Sequence, residues 1–248
     1  MLEFIIFLFG LSIGSFLNVC IYRLPQNQSV IFPASHCTMC GERLKALDLI
    51  PLISYLLLQG HCRYCGAKFT RRYPLVELLT ACLFVYCLKV FGVSLLLLKA
   101  LILTSFLIVI TYIDFDHQLI LDKVLIWLAG TGVIINLILD DIAVLDMLLA
   151  GAVGGGLFLA VALVSRGGMG GGDIKFVAAL GLWLGLKATL LTILLAFIAG
   201  GIGGIIMLIC KMKKRKDYIP FGPFISFGAF VSLVYGTIII NWYITEYL

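Results

Sequence analysis

Long apolar runs separated by short polar segments occupy almost the whole sequence. Runs of this kind predict helices that cross the hydrocarbon core of a bilayer, which is about 30 Å thick. We predict about eight such spans, at residues 2–22, 75–91, 95–113, 123–139, 145–165, 174–185, 188–210 and 224–243. The sixth span is short, and only Gly185 and Lys187 separate it from the seventh. The pattern therefore predicts an all-α fold, a polytopic helical bundle in a membrane.

The composition supports this fold and excludes a soluble domain of ordinary composition. Of the 248 residues, 62% are hydrophobic and 12% are charged. The net charge of +5 would suit a nucleic-acid partner, but the basic residues lie in short loops beside apolar runs, where they set the topology. We therefore expect the lipid bilayer, and no nucleic acid, as a partner. The first run lacks a basic leading segment and a small-residue cleavage site, so we predict a retained helix rather than a signal peptide.

One long polar and basic segment, residues 25–74, follows the first span and holds two C-x-x-C pairs. The pairs are about twenty residues apart, as in zinc ribbons, and a glycine after each pair eases the turn around the thiolates. We predict that Cys37, Cys40, Cys62 and Cys65 bind a structural zinc ion, because four thiolates leave no open position. Two surface disulfides are the alternative, which a reducing cytoplasm disfavours.

The rest of this segment completes the predicted domain organisation. His36 and His61 adjoin the cysteine pairs and are expected to be bystanders rather than ligands. The apolar run at residues 49–58 is too short to cross a bilayer. We therefore predict a first membrane helix at 1–24, a small zinc-ribbon-like loop domain at 25–74, and a membrane helical domain at 75–248.

The charged residues predict the orientation of the chain. Positive charges are enriched in cytoplasmic loops. They cluster in two places here: Arg23, Arg43, Lys45, Arg63, Lys68, Arg71 and Arg72 around the cysteine pairs, and Lys211, Lys213, Lys214, Arg215 and Lys216 before the last span. The acidic outer loops hold Asp140, Asp141 and Asp146. Alternation of the spans then places the zinc loop, Asp114 and Asp173 together on the cytoplasmic side.

Two acidic sites stand out at the ends of apolar runs. Asp173 follows a glycine-rich segment, residues 167–172, whose spacing resembles a phosphate-binding loop but lacks the required lysine. A flexible connector between two membrane helices is the simplest interpretation of these glycines. The second acidic site is Asp114 with Asp116, at the end of another apolar run. Its presence favours a site that the two acidic segments build together.

Paired carboxylates support two kinds of function. Two acids that share one proton can activate a water and protonate a leaving amine, as in aspartic proteases. A transporter can also use acids at the membrane edge to bind cations or relay protons. The residue types alone favour neither.

Several motifs together resemble those of the type 4 prepilin leader peptidases, in order and over nearly the whole chain. They are GSFLNVCIYRLP at 14–25, the two cysteine pairs, RYPLVE at 72–77, IDFDH at 113–117 and GGGDIK at 170–175. The last of these contains the G-x-G-D motif that the family shares with presenilin and signal peptide peptidase. The resemblance implies that Asp173 and Asp114 are the catalytic acids, with Asp116 as the alternative to Asp114.

The resemblance also implies a function. It indicates a membrane aspartic endopeptidase of the bacterial cytoplasmic membrane that removes short basic leaders from prepilins or pseudopilins at the cytoplasmic face. A zinc-stabilised transporter is the alternative. The substrate would contact Gly170, Gly172 and Lys175. Leu121-Asp122 stands where members commonly have a proline before Asp or Asn, a departure that affects the turn rather than the chemistry.

Many members of that family also methylate the new amino terminus. Their methyl donor is S-adenosylmethionine, and members with this activity typically have the two cysteine pairs found here. Candidate residues for methyl transfer are Asn18, Arg23 and Glu77, which lie near the first cytoplasmic loop. A role in topology and packing is an equally good interpretation of these three residues.

Overall fold

The computed structural model describes residues 1–165, 168–210 and 219–247. Within them the chain is helical, with two isolated β-bridges and no strand. The helices are α1 (Leu2–Arg23), a 3-10 helix (Ala46–Leu49), α2 (Ile53–Leu57), α3 (Arg72–Phe91), α4 (Leu95–His117), α5 (Asp122–Leu139), α6 (Val144–Val164), α7 (Gly171–Ile209) and α8 (Gly222–Tyr247). Gly167 and the predicted basic cluster at 211–216 lie outside the described residues.

Seven of these helices are long and apolar enough to cross a membrane. The predicted short run at 49–58 forms only the five-residue helix α2. Helix α7 has 39 residues, and Gly185 within it is not helical, with φ 73° and ψ 173°. The two spans predicted at 174–185 and 188–210 lie on the two sides of this glycine.

The two parts of α7 fold back on each other at Gly185. A Cβ atom on Gly154 of α6 would lie 3.0 Å from side-chain atoms of both Val177 and Thr189. In a straight helix these two residues would be about 18 Å apart along the axis. Residues 171–184, here called the front segment, and residues 186–209, the rear segment, therefore form a tight helical hairpin. The single element α7 thus supplies two of the eight predicted spans.

The chain divides into two compact units, Met1–Val109 and Ile110–Leu248. In the first unit, α1 packs closely against α3. A Cβ on Gly10 would lie 2.6 Å from Ala81 Cα, and one on Gly14 would lie 2.7 Å from Glu77 Cα. The backbones approach this closely because neither glycine has a side chain.

In the second unit, the front segment of α7 is packed tightly against α6. A Cβ on Gly181 would lie 2.7 Å from Gly151 Cα, and one on Gly155 would lie 3.1 Å from Ala178 Cβ. The rear segment meets α8, where a Cβ on Gly228 would lie 2.5 Å from Thr192 O. Small residues thus allow dense packing without a hydrophobic driving force between the helices.

Candidate functional site

The two predicted acids lie at helix ends within the second unit. Asp114 is in the last turn of α4 and Asp173 is in the first turn of α7. Each side chain is only 3% exposed, and the two carboxylates interact electrostatically. The structure therefore brings together two acids that are far apart in sequence. Asp116 is exposed, in contrast to Asp114.

Each acid accepts a hydrogen bond from a glycine N–H group. Asp114 Oδ2 accepts from Gly222 N at 2.9 Å, and Asp173 Oδ2 accepts from Gly170 N at 3.2 Å. Gly170 is the residue before the first turn of α7, so Asp173 also caps its own helix. These bonds fix one oxygen of each carboxylate.

Gly222 is a site residue that the sequence analysis missed. It begins α8, and a Cβ at this position would lie 2.7 Å from Asp114 Oδ2. Only glycine therefore lets the backbone approach the carboxylate this closely. The sequence does mark this glycine, because Phe221-Gly222-Pro223 comes directly before the last apolar run. Nothing in the sequence, however, indicates that Gly222 contacts Asp114.

The other predicted substrate residues lie near the start of α7. A Cβ on Gly172 would lie 2.9 Å from Ile120 Cβ, so Gly172 packs against the segment between α4 and α5. Lys175 Nζ donates to both carboxylate oxygens of Asp122, at 2.9 and 2.8 Å. This ion pair joins the starts of α5 and α7 and is exposed on both sides. A substrate contact by Lys175 would have to compete with Asp122.

The four predicted metal ligands form one cluster in the first unit. The sulfur atoms of Cys37, Cys40, Cys62 and Cys65 all lie within 4.8 Å of one another, and the Sγ atoms of Cys37 and Cys65 are 3.8 Å apart. A tetrahedral zinc ion with Zn–S bonds of about 2.3 Å would place its sulfurs about 3.8 Å apart. The cysteines therefore fit a metal ion such as zinc.

The two cysteine pairs have the same backbone structure. Cys37 N donates to Glu42 O at 2.9 Å, and Cys62 N donates to Ala67 O at 2.8 Å. The glycine after each pair has a positive φ, 73° at Gly41 and 70° at Gly66. In each pair the glycine N–H group donates to the carbonyl oxygen of the first cysteine, at 2.9 Å, and the positive φ favours glycine because other residues are strained there. The domain is thus a repeated turn with two cysteines in each copy.

Hydrogen bonds and ion pairs stabilise the charged groups of this domain. Burial alone would raise the pKa of the Cys37 thiol, but hydrogen bonds with the Cys40 and Met39 backbone and with neighbouring thiols lower it to about 7. Burial would likewise raise the pKa of Asp48, but the Arg63 guanidinium, 2.7 Å away, and further hydrogen bonds hold it below its usual value. Asp48 thereby connects the 3-10 helix to the second cysteine pair.

A cavity of about 180 Å³ lies in the first unit, and all three residues predicted for methyl transfer line it. Asn18 Nδ2 donates to Tyr73 O at 3.0 Å, whereas Asn18 Oδ1 is buried with no hydrogen-bond partner among the described residues. Glu77 Oε2 accepts from Leu52 N at 2.9 Å, and Arg23 Nη1 donates to Ser29 O at 3.0 Å. His36 and His61 also line the cavity.

Comparison with known proteins identifies the family. The chain matches the Bacterial Peptidase A24 N-terminal domain over residues 8–91 and the Type IV leader peptidase family over residues 101–205. It is 36% identical over 273 residues to the prepilin leader peptidase/N-methyltransferase of Aeromonas hydrophila, covering 98% of this chain and 94% of the relative. The chain belongs to the type IV leader peptidase family. No solved structure matches it significantly.

Two further relatives are also prepilin leader peptidase/N-methyltransferases. The one from Bacillus subtilis is 36% identical over 241 residues, with 97% of each chain covered. The one from Legionella pneumophila is 37% identical over 268 residues, with 96% of this chain and 92% of the relative covered. The comparisons therefore support a multi-pass membrane peptidase with methyltransferase activity, and not the transporter that paired acids alone left open.

Proposed function

We propose that this leader peptidase removes the short basic leader of type 4 prepilins or pseudopilins and then methylates the new amino terminus. Asp114 and Asp173 carry out the cleavage. The observation that carries the proposal is that these two buried carboxylates, at the ends of α4 and α7, interact electrostatically. The proposal puts both acids at the cytoplasmic face, and the alternation of the predicted spans with the basic loop between α1 and α3 supports this orientation.

The acid pair can supply both proton transfers that peptide hydrolysis requires. The two carboxylates share one proton, so that one acts as a base and the other as an acid. The ionised member takes a proton from water, and the water oxygen attacks the carbonyl carbon of the scissile peptide bond. The protonated member then supplies the proton that the leaving amine needs. The N–H groups of Gly170 and Gly222 hold both carboxylates in place during these steps.

The position of the acids explains the choice of substrate. A prepilin carries a basic leader followed by a long apolar helix, so the helix can enter the bilayer while the leader stays at the surface. The scissile bond is then held at the depth of Asp173. A helical peptide bond is shielded by its own hydrogen bonds, so the substrate must be extended at the cut. Gly170 and Gly172 allow close backbone approach there, and Lys175 contacts the substrate when it leaves Asp122.

The cavity of the first unit is the proposed site of methyl transfer. Bound S-adenosylmethionine supplies the activated methyl group. Asn18 Oδ1 supports this assignment, because a buried acceptor without a partner can accept a hydrogen bond from a ligand. Arg23 can pair with a carboxylate and Glu77 with an ammonium group. The zinc ion has a structural role, since the cysteine domain supplies Ser35, His36 and His61 to the cavity wall.

The test is cleavage of a purified prepilin precursor in lipid vesicles by Asp114→Asn, Asp173→Asn and Asp116→Asn variants. Asparagine keeps the shape of each side chain but cannot transfer a proton, so each of the first two changes should abolish cleavage without unfolding the protein. The double variant should be no worse than either single variant, because the acids act as a unit. Asp116→Asn is the matched control and should retain activity. Cleavage by the Asp114→Asn and Asp173→Asn variants at the wild-type rate would refute the proposal.

A further inference from the structure

The reversal of α7 at Gly185 lies beside the connection between α5 and α6, and its backbone groups need polar partners from other helices. The front segment, residues 171–184, is about 21 Å long and joins this turn to the first turn of α7, which holds Asp173. Gly185 makes this turn with φ 73°, and a Cβ there would lie 3.2 Å from Ile142 Cγ2.

The turn leaves backbone groups without their usual helical partners. In a continuous helix, Leu186 N would donate to Leu182 O. Here Leu186 N donates instead to Asp146 Oδ2 at 3.2 Å. Asn136 Nδ2 donates to Leu182 O at 2.7 Å and to Trp183 O at 3.3 Å. Side chains of α5 and α6 thus satisfy backbone groups on both sides of the turn.

The end of the front segment is also fixed by its packing. Trp183 is fully buried, and its Nε1 donates to Leu128 O on α5 at 2.6 Å. A Cβ on Gly132 would lie 2.8 Å from Trp183 Cγ, so the indole ring lies directly against the α5 backbone. Asp173 lies about 15 Å away, near the other end of the same helical segment. A short helix held this firmly at one end transmits a shift or rotation to its other end.

We propose that Asn136 and Asp146, here called the α7 clamp, are positioning residues for the acid pair. By holding the turn at Gly185, they fix the depth and rotation of the front segment, and so the point at which the Asp173 carboxylate meets Asp114. The proposal rests on the proposed function, since it assumes that these two acids cleave the substrate. It gives a role to two polar residues that contact neither acid.

Loss of the clamp leaves the turn of α7 less firmly held. Without Asn136 or Asp146, backbone groups at the turn lose the side chains that satisfy them. The front segment can then shift or rotate to find other partners for these groups, and that movement displaces Asp173 relative to Asp114. A displacement of about 1 Å at a reacting group is enough to cost about 100-fold in rate.

The experiment compares Asn136→Leu and Asp146→Leu with the conservative variant Asp146→Asn, which keeps an oxygen acceptor. Leu137→Ala and Leu145→Ala are matched controls, because these neighbours on α5 and α6 are 57% and 69% exposed. The measurements are kcat and KM for precursor cleavage, and methyl transfer to an already cleaved substrate in the same preparations. We expect kcat to fall about 100-fold in the leucine variants with little change in KM or methyl transfer. Asp146→Asn and both controls should retain activity.

Three results would overturn the proposal. One is wild-type kcat in both leucine variants, another is a rise in KM at constant kcat, and the third is a parallel loss of cleavage and methyl transfer. If the leucine variants do not elute as folded protein, Asn136→Ser and Asp146→Ser must show the selective loss of kcat instead. Asp114→Asn and Asp173→Asn are measured alongside. Activity in those two refutes the proposed function, whereas inactivity there with full activity in the clamp variants refutes the clamp alone.

Discussion

The tetracysteine cluster and the acid pair are assembled in different ways. The cluster uses one local turn twice, and its four ligands lie within residues 37–65. The acid pair joins Asp114 and Asp173 from the ends of two helices, and it also uses the backbone of Gly222 from a third helix. The geometry of the first site therefore depends on local turns, and that of the second depends on helix packing. Substitutions at one site should therefore leave the activity that depends on the other site largely unchanged.

The largest effect is expected from Gly222→Ala. The added methyl group would lie 2.7 Å from Asp114 Oδ2, so either the carboxylate or the start of α8 must move. Displacement of the Asp114 carboxylate by this clash should lower kcat for precursor cleavage about 100-fold. Methyl transfer to a cleaved substrate should be unchanged, because the cavity and the cluster lie in the first unit. Gly156→Ala is the control, since its Cβ would meet open space. Equal loss of both activities would contradict a local role for Gly222.

An intermediate effect is expected when the metal site is broken. Cys62→Ser removes one buried thiolate ligand, so the protein should lose zinc and the cysteine domain should loosen. The domain forms part of the cavity wall, so methyl transfer should fall about 10-fold or more while precursor cleavage falls less. Zinc content by elemental analysis and both activities are the measurements. Cys82→Ser, at an exposed position on α3, should change none of them. Reduced wild-type protein that contains no zinc would contradict the assignment.

The smallest effect is expected from Lys175→Met. This change breaks the ion pair with Asp122, but exposed pairs contribute only about 0–1 kcal/mol. The thermal midpoint should therefore change by a few degrees at most, and KM for precursor should rise if Lys175 contacts the substrate. Lys187→Met, an exposed lysine on the same helix element, is the control. A large drop in the thermal midpoint would show that the pair is a structural element of the acid site.

The sequence predicted the membrane spans, but it marked the boundary between the two spans of α7 only weakly. The two spans at 174–185 and 188–210 were separated only by Gly185 and Lys187, and the structure confirms a reversal at Gly185. Asp146 was predicted only as an acid of an outer loop. It lies in the first turn of α6, where its carboxylate accepts a hydrogen bond from Leu186 N. Its partner is 40 residues away, beyond the reach of any local pattern.

The sequence alone determined the features that have a period, a composition or a fixed spacing. Apolar runs predict spans because a bilayer has a fixed thickness, and C-x-x-C pairs predict a metal site because one short turn can place two thiolates on one ion. The tertiary structure alone decided which backbone groups meet the acids and the turn of α7. Gly222 N reaches Asp114, and Asn136 reaches Leu182 O, only after separate helices have packed. Such contacts depend on how several helices pack together, and no single segment of the sequence encodes that packing.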